Sequence, residues 1–422
     1  MKVCALTHTY PRFPDDINAP FVEHLMERIT SLGHEVSVLT AWDPAWNRTE
    51  GDHTVDLRTY RYIVPDRLHV LGYSRTIEGN IRFRPHVYAL SPFMFAAAYR
   101  AFLALVKEKK PDVLHAHWIL PNGFIAGQVA RATGIPLIIQ LHGSDVFTAE
   151  KNALFRMMAR SAAKNARFIM SPSPDLTRRI GIVGADTRKI GLVPNTVDRS
   201  FGADVTTKQV DALRRRLGIQ PGATVVLAIG RMVYVKGFTY LIDAFKAVAD
   251  TDTNAVLVLA GGGVQYDELR AQADRLGIGG RVIMPGPVMR DEVPVYFKAA
   301  DMFVIPSIRH ESGAVDGLPV VVPEAMASGL PIVGSDLSGI PVLVRDGVNG
   351  ILVGERDTDA LAKAISRLVG DPVLRAEYGR RSREVIDRYV NYDAVAAHCV
   401  RLYEAAHMGG GETDMPLFTV GQ

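Results

Sequence analysis

Cysteine is nearly missing from this 422-residue chain: only Cys4 and Cys399 are present, at opposite ends. Two such residues can build neither a disulfide framework nor a cysteine-based zinc site, and they fit a reducing, cytoplasmic location. A surplus of one charge sign is missing too. Lys plus Arg number 48 against 45 acids, a formal net charge of +3, which excludes a strong polyanion binder and predicts no nucleic-acid partner. Long apolar runs are scarce. After Met1-Lys2 the run extends only from Val3 to Leu6, so no secretory signal is read. The longest apolar segment, Ala89 to Val106, is interrupted by Pro92 and Arg100. The helical spacing of Phe95, Tyr99, Phe102 and Val106 predicts an ordinary buried helix there, with a membrane-surface contact as the alternative. Several catalytic signatures are absent as well. The first strand-to-helix turn has no GxGxxG, which argues against a dinucleotide dehydrogenase, and there is no Walker loop, GxSxG elbow or HExxH.

What is present is a regular alternation of short apolar runs and amphipathic helices. Val3–Thr7, Val36–Thr40, Val113–Ala116, Leu137–Leu141, Phe168–Ser171 and Ile190–Val193 form one series. Thr224–Ile229, Ala255–Ala260, Val282–Met284, Met302–Ile305, Pro331–Gly334 and Ile351–Val353 form a second. The runs are continuous rather than alternating, as strands buried on both faces must be, so each series predicts a parallel, doubly wound sheet. The join falls between Pro194 and Pro221. This predicts an N-terminal α/β domain over 1–199 and a C-terminal one over 200–389, with a loose tail over 408–422. A hydrophobic fraction of 48% with 22% charged residues supports packed cores in both.

In such folds ligands sit at the carboxyl ends of strands and between domains. Just beyond Thr224–Ile229 stand Gly230-Arg231 and Lys236-Gly237, before a helix starting near Phe238. Arg forks onto two phosphate oxygens and Lys acts as a point charge, so the pair suits a diphosphate; solvated surface cations are the plainer alternative. Asp316 and Glu324 flank an apolar stretch in DGLPVVVPEAMASGLPIV. Both carboxylates suit paired hydroxyls of a ribose or hexose, and Glu324, expected to open the helix at Ala325, equally suits an N-terminal cap. His142-Gly143-Ser144-Asp145 follows Leu137–Leu141 and places an imidazole at a strand end, with Asp145 as a cap of the next helix. His115 and His117 sit on one face of a strand with no visible third ligand, and His8 follows the first strand. Gly261-Gly262-Gly263 and Pro285-Gly286-Pro287-Val288 are turns where backbone approaches a ligand closely.

The ordered set HGSD, GR-x4-KG, D-x7-E and EAMASGLPIV resembles the retaining glycosyltransferases of family 4, over nearly the whole chain. The resemblance implies a GT-B fold: two Rossmann-like domains, an interdomain cleft and a crossover helix, about 390–407, returning to the first domain. It implies a metal-independent hexosyl transfer from a nucleotide-diphosphate sugar, with no cofactor, to a carbohydrate or lipid-linked hydroxyl. His142 resembles the histidine that contacts the transferred sugar, Arg231 and Lys236 the pair on the diphosphate, and Glu324 the acid on the ribose. Asp316 stands at the acid that contacts sugar hydroxyls. Gly286 and Val288 resemble the base-binding edge. Ser338, Gly339 and Ile340 resemble the loop that donates amides to phosphate. The chain departs from the pattern where Asp316 replaces the usual Glu, with Glu311 as a substitute, and where Gly317-Leu318-Pro319 replaces Gly-Phe-Gly. In the first loop Asn18 and Ala19 stand in place of paired glycines. Similar spacing occurs in members that assemble polysaccharides. A sugar-nucleotide epimerase and a non-catalytic binding module share this architecture and remain alternatives.

One stretch lies outside that pattern. From Leu57 to Arg84, arginines 58, 61, 67, 75, 82 and 84 face two acids, Asp66 and Glu78, with Tyr60, Tyr62, Tyr73 and Phe83 interleaved. It reads as a solvated variable loop or as a docking face for an anionic lipid surface at the inner membrane.

Overall fold

In the computed structural model of the chain, the apolar runs pair only with parallel neighbours and build two separate sheets. The structure describes residues 1–410 apart from 15, 17, 72–76, 79–81, 84 and 312, and gives the backbone alone at 50, 77, 78, 82, 83 and 85–88. Most of the stretch read as a tail lies outside the described residues, as do Arg75, Arg84 and Tyr73.

The chain divides into two compact units, one holding Met1–Val193 and the last helix, the other Pro194–Asn391. Strands of the first unit are β1 (Lys2–Leu6), β2 (Glu35–Ala41), β3 (Asp56–Tyr60), a small hairpin of β4 (Ile77–Glu78) and β5 (Arg82–Phe83), β6 (Val113–His117), β7 (Leu137–Gln140), β8 (Phe168–Ser171) and β9 (Ile190–Leu192). Its helices are α1 (Pro20–Ser31), α2 (Pro85–Lys109), α3 (Phe124–Thr133), α4 (Ser144–Glu150), α5 (Ala153–Asn165) and α6 (Pro174–Val183). The main sheet runs β3-β2-β1-β6-β7-β8-β9 among the described residues.

The second unit holds α7 (Thr207–Arg216), β10 (Thr224–Ile229), α8 (Phe238–Thr251), β11 (Ala255–Ala260), α9 (Tyr266–Arg275), β12 (Val282–Ile283), α10 (Val293–Ala299) and β13 (Met302–Ile305). After these come α11 (Val321–Ala327), β14 (Ile332–Ser335), α12 (Ile340–Leu343), β15 (Gly350–Val353), α13 (Thr358–Gly370) and α14 (Pro372–Arg388). Its sheet runs β12-β11-β10-β13-β14-β15. The last helix, α15 (Tyr392–His407), belongs to the first unit, where Val395, Cys399, Leu402 and Tyr403 are buried beside β1 and β6 core residues. The doubly wound α/β reading is borne out in both units. Helix faces follow the apolar period: on α8, Phe238, Leu241, Ile242, Phe245 and Val248 are all buried. Some helix starts carry side-chain caps, as where Asn152 accepts the Phe155 N–H at 2.9 Å.

Two expectations are corrected. The segment Ala89–Val106 does lie in a helix, but not a buried one. Met94, Ala98, Phe102, Leu105 and Val106 form its buried stripe, while Phe93 is 56% exposed, and Phe95 and Tyr99 are half-buried. The basic stretch after Leu57 is not simply a loop either. It begins as the edge strand β3, whose polar outer face hid the strand pattern. Its charge is also less one-sided than a count within the stretch suggests. Arg58 pairs with Asp56 at 2.7 Å and with Glu108 at 3.4 Å, and Arg61 with Asp66 at 2.7 Å while lying 3.9 Å over the Trp42 ring. Tyr60 and Tyr62 are buried.

Candidate active site

Strand order changes direction at β10 in the second unit, with β11 on one side and β13 on the other. Loops leaving the carboxyl ends of β10 and β13 diverge at such a switch point and leave room for a ligand. Arg231 and Lys236 come from the loop after β10, Arg231 exposed and Lys236 buried. Gly237, at φ +66°, starts α8; a Cβ there would stand 1.9 Å from the Pro306 carbonyl oxygen beyond β13. Only glycine lets these two loops touch backbone to backbone. Asp316, on the loop after β13, then reaches Lys236: its Oδ2 lies 2.8 Å from Nζ. Glu311, the other candidate acid, is exposed.

Glu324 departs from its expected place as a cap. The helix begins at Val321, so Glu324 lies at the end of the first turn with its carboxylate buried. Oε1 is 2.5 Å from Arg290 Nη1, and Oε2 has no hydrogen-bond partner among the described residues. Burial pushes the Glu324 carboxyl above its ordinary range, against the pull of the Arg290 charge. Ser338, at φ +57°, donates its hydroxyl to the Gly317 carbonyl at 2.9 Å and so ties the loop after β14 to the Asp316 loop. A Cβ on Gly339 would stand 2.4 Å from that same carbonyl. Ile340 is buried, and its N–H donates to the Leu337 carbonyl at 3.2 Å. The Gly286 carbonyl accepts the Gly261 N–H at 2.9 Å, and Val288 packs half-buried against the core.

The first unit has its own switch point, between β1 and β6. His8 follows β1, His117 ends β6 and His142 follows β7. His117 Nδ1 lies 3.2 Å from His142 Nε2, and the Trp118 ring centroid is 4.2 Å from that of His142 and 4.6 Å from that of His8. His115 and His117 stack face to face at 4.5 Å, and His115 Nδ1 is 2.7 Å from the Tyr403 hydroxyl of α15. Asn122 donates to the His117 carbonyl at 2.7 Å. Burial holds all four imidazoles neutral at physiological pH, with His8 down to about 4, His115 and His142 to about 3, and His117 lower than its ordinary value. Asp145 is not the N-cap of α4, which is Gly143. Its carboxylate accepts the Ile119 N–H at 2.7 Å and the His142 N–H at 3.2 Å, and so binds the loops after β6 and β7 together. In the first loop Asn18 donates to Asp16 at 2.6 Å, and Asp16 pairs with Arg12.

Two site residues escaped the sequence reading. Arg290 stands four residues past Gly286 in a turn already singled out, but nothing in the pattern aims it at Glu324. Trp118, at φ +67°, follows the His-x-His pair and was hidden by the metal question those histidines raised.

The family model "Glycosyl transferases group 1" matches residues 209–385, and "Glycosyl transferase 4-like domain" matches residues 19–196. An uncharacterised glycosyltransferase of Methanocaldococcus jannaschii is 26% identical over 417 residues, covering 96% of this chain and 98% of its own. The UDP-Gal:α-D-GlcNAc-diphosphoundecaprenol α-1,3-galactosyltransferase of Escherichia coli is 28% identical over 279 residues, 64% of this chain and 69% of its own. Among solved structures, HepE of Anabaena in complex with UDP matches with a TM-score of 0.71 at 19% identity, over 96% of this chain and 100% of that one. With a glycosyl transferase family matched on each of its two units, the chain is a glycosyltransferase, built on the GT-B fold.

Proposed function

We propose that the protein moves a hexosyl unit from a nucleotide-diphosphate sugar to an acceptor hydroxyl, with retention at the anomeric carbon and without a metal. The observation that carries this reading is the cationic pair Arg231 and Lys236 at the switch point of the second sheet, with Lys236 held 2.8 Å from Asp316. The galactosyltransferase relative is named for a UDP-sugar donor and a lipid-linked diphosphate acceptor, and the HepE structure contains UDP. Transfer breaks the C1–O bond to the diphosphate and forms a C1–O bond to the acceptor. Negative charge grows on the departing phosphate, where a guanidinium and an ammonium fixed in advance stabilise it. The acceptor attacks from the face the phosphate leaves, and the departing phosphate oxygen takes the acceptor's proton. Glu324 holds the ribose and Asp316 a sugar hydroxyl. His142, neutral by burial, contributes hydrogen bonding rather than an acidic proton. The test is incubation with UDP-, GDP- and ADP-sugars, following free nucleotide with and without candidate acceptors. Acceptor-dependent release is expected. Donor turnover that ignores acceptors would make the protein an epimerase, and binding without release a carrier.

The acceptor is lipid-linked in this reading, met at the inner membrane face by a protein that works in the cytoplasm. What supports it is α2, whose segment Ala89–Lys109 is long and apolar enough by composition to cross a membrane. Its exposed side carries Ala89, Pro92, Phe93, Ala96, Arg100, Ala104 and Lys107, with Glu108 also exposed and paired to Arg58. Apolar groups beside cations suit an anionic lipid surface, each cation adding about 1 kcal/mol. Flotation with vesicles with and without anionic lipid should show partitioning that the double variant Phe93→Ser, Arg100→Glu loses. Equal flotation of both proteins removes the membrane from this account.

A further inference from the structure

Glu324 carries two features that its place in the helix does not explain. It is a buried acid 3% exposed, and its two oxygens are treated differently: Oε1 meets Arg290 while Oε2 has no hydrogen-bond partner among the described residues. A carboxylate oxygen without a partner in such a place is costly unless a ligand completes it. Arg290 reaches it from the loop between β12 and α10, with its guanidinium 6.0 Å from the Phe201 ring centroid and its side chain 52% exposed. An exposed arginine thus spends one nitrogen on a buried acid.

We propose that Arg290 is the positioning residue of the nucleotide site: by engaging Oε1 it fixes the Glu324 carboxylate so that Oε2 accepts the hydroxyls of a vicinal diol. The diol is the ribose of the donor, so this rests on the nucleotide-sugar reading above. Arg290 need not touch the nucleotide. It acts through Glu324 by setting rotamer and charge. Burial disfavours the ionised acid and Arg290 opposes that effect. Arg290 is the charge that acts on this acid, and neighbouring cations are committed elsewhere. Arg383 of α14 donates to the Ala327 carbonyl at 2.6 Å and pairs with Asp387, and Lys298 of α10 is itself depressed by burial and by Arg383. Lys236 is held by Asp316. Removing the Arg290 charge therefore raises the pH below which Glu324 is protonated and stops accepting both hydroxyls.

The experiment measures dissociation constants of UDP, GDP and ADP, and of their 2′,3′-dideoxy forms, from pH 5 to 9. The ratio between each pair isolates the diol and cancels titration of the phosphate. The unaltered protein should prefer the complete ribose by about tenfold or more for the nucleotide it binds. In Arg290→Gln that preference should persist at pH 9 and disappear as pH falls, with its midpoint about one unit or more above that of the unaltered protein. Arg290→Lys should return the midpoint most of the way, and Glu324→Gln should lack the preference throughout. Superimposable profiles for Arg290→Gln and the unaltered protein would overturn the inference. So would loss of the preference at every pH in Arg290→Gln, which would make Arg290 a direct ligand contact. Failure of the unaltered protein to bind any of the three nucleotides would instead remove the nucleotide-sugar reading, and this inference with it.

Discussion

Arg231 is exposed and, in the proposed mechanism, meets the leaving phosphate, so its loss should affect rate and little else. Arg231→Ala is expected to lower transfer about 10²–10³-fold, the usual effect of removing one charge-stabilising donor, with an unchanged melting temperature. Nucleotide release and calorimetry on the same preparation check both halves, and near-normal turnover would refute the diphosphate assignment. The buried imidazoles make a different prediction. His8, His115 and His142 have folded-state values of about 3 to 4, below the 6.5 of an exposed histidine. Between those limits the unfolded chain binds more protons, so stability is full above about pH 6.5 and falls as pH drops toward 4. The unfolding free energy from urea titration should decline across that window by up to about 1.4 kcal/mol per pH unit for each such histidine, and His115→Asn should flatten the slope. Stability that does not change across that window would show that these rings gain protons without unfolding. At this scale the placement of Arg231 and Lys236 after β10 was legible, because both flank glycines at the end of a clear apolar run; the buried place of Glu324 inside α11 was not, because an acid near a helix start reads first as a cap. Arg290 was not, because one more exposed cation in a turn carries no mark until the fold brings it to a buried acid.

Helix α2 shows how one element holds two kinds of position. Phe102 is fully buried, and Phe102→Ala should cost about 3–5 kcal/mol. Phe93, nine residues earlier and more than half exposed, should change stability by no more than about 0.5 kcal/mol when made serine. Urea unfolding of both variants tests the pair, and a large loss from Phe93→Ser would mean that this face is covered. The strands β10, β11 and β13 were legible to the residue, since runs buried on both faces leave no ambiguity of period. Edge strand β3 was not, because DLRTY presents its polar side to water and one strand partner only. The exposed side of α2 also escaped: alanine-rich helices look apolar all round, and the pattern does not tell which side meets the core.

For the molecule as a whole, the placement of α15 matters most. Tyr392, Val395, Ala396, Cys399, Leu402 and Tyr403 are all buried in the core of the first unit. At about 1.5–3 kcal/mol for each of the four large side chains, their joint loss is comparable with the 5–15 kcal/mol that stabilises a typical domain. A chain ending at Asn391 should therefore lose the cooperative melting of the first unit and keep that of the second, to which α14 belongs. Calorimetry showing both transitions intact would contradict this. That there are two parallel-sheet units was legible from strand runs alone. The unit to which α15 belongs was not, because its apolar face would suit either sheet, and only the resemblance pointed to the first. The arrangement also reverses the usual order of maturation during synthesis. The first 193 residues leave the ribosome lacking the helix that completes their core, while residues 194–391 emerge with all their elements. At 5–20 residues per second the leading half waits on the order of ten to forty seconds for its final segment. The half translated second is the first that can finish, and the leading half completes its core only once α15 has been made.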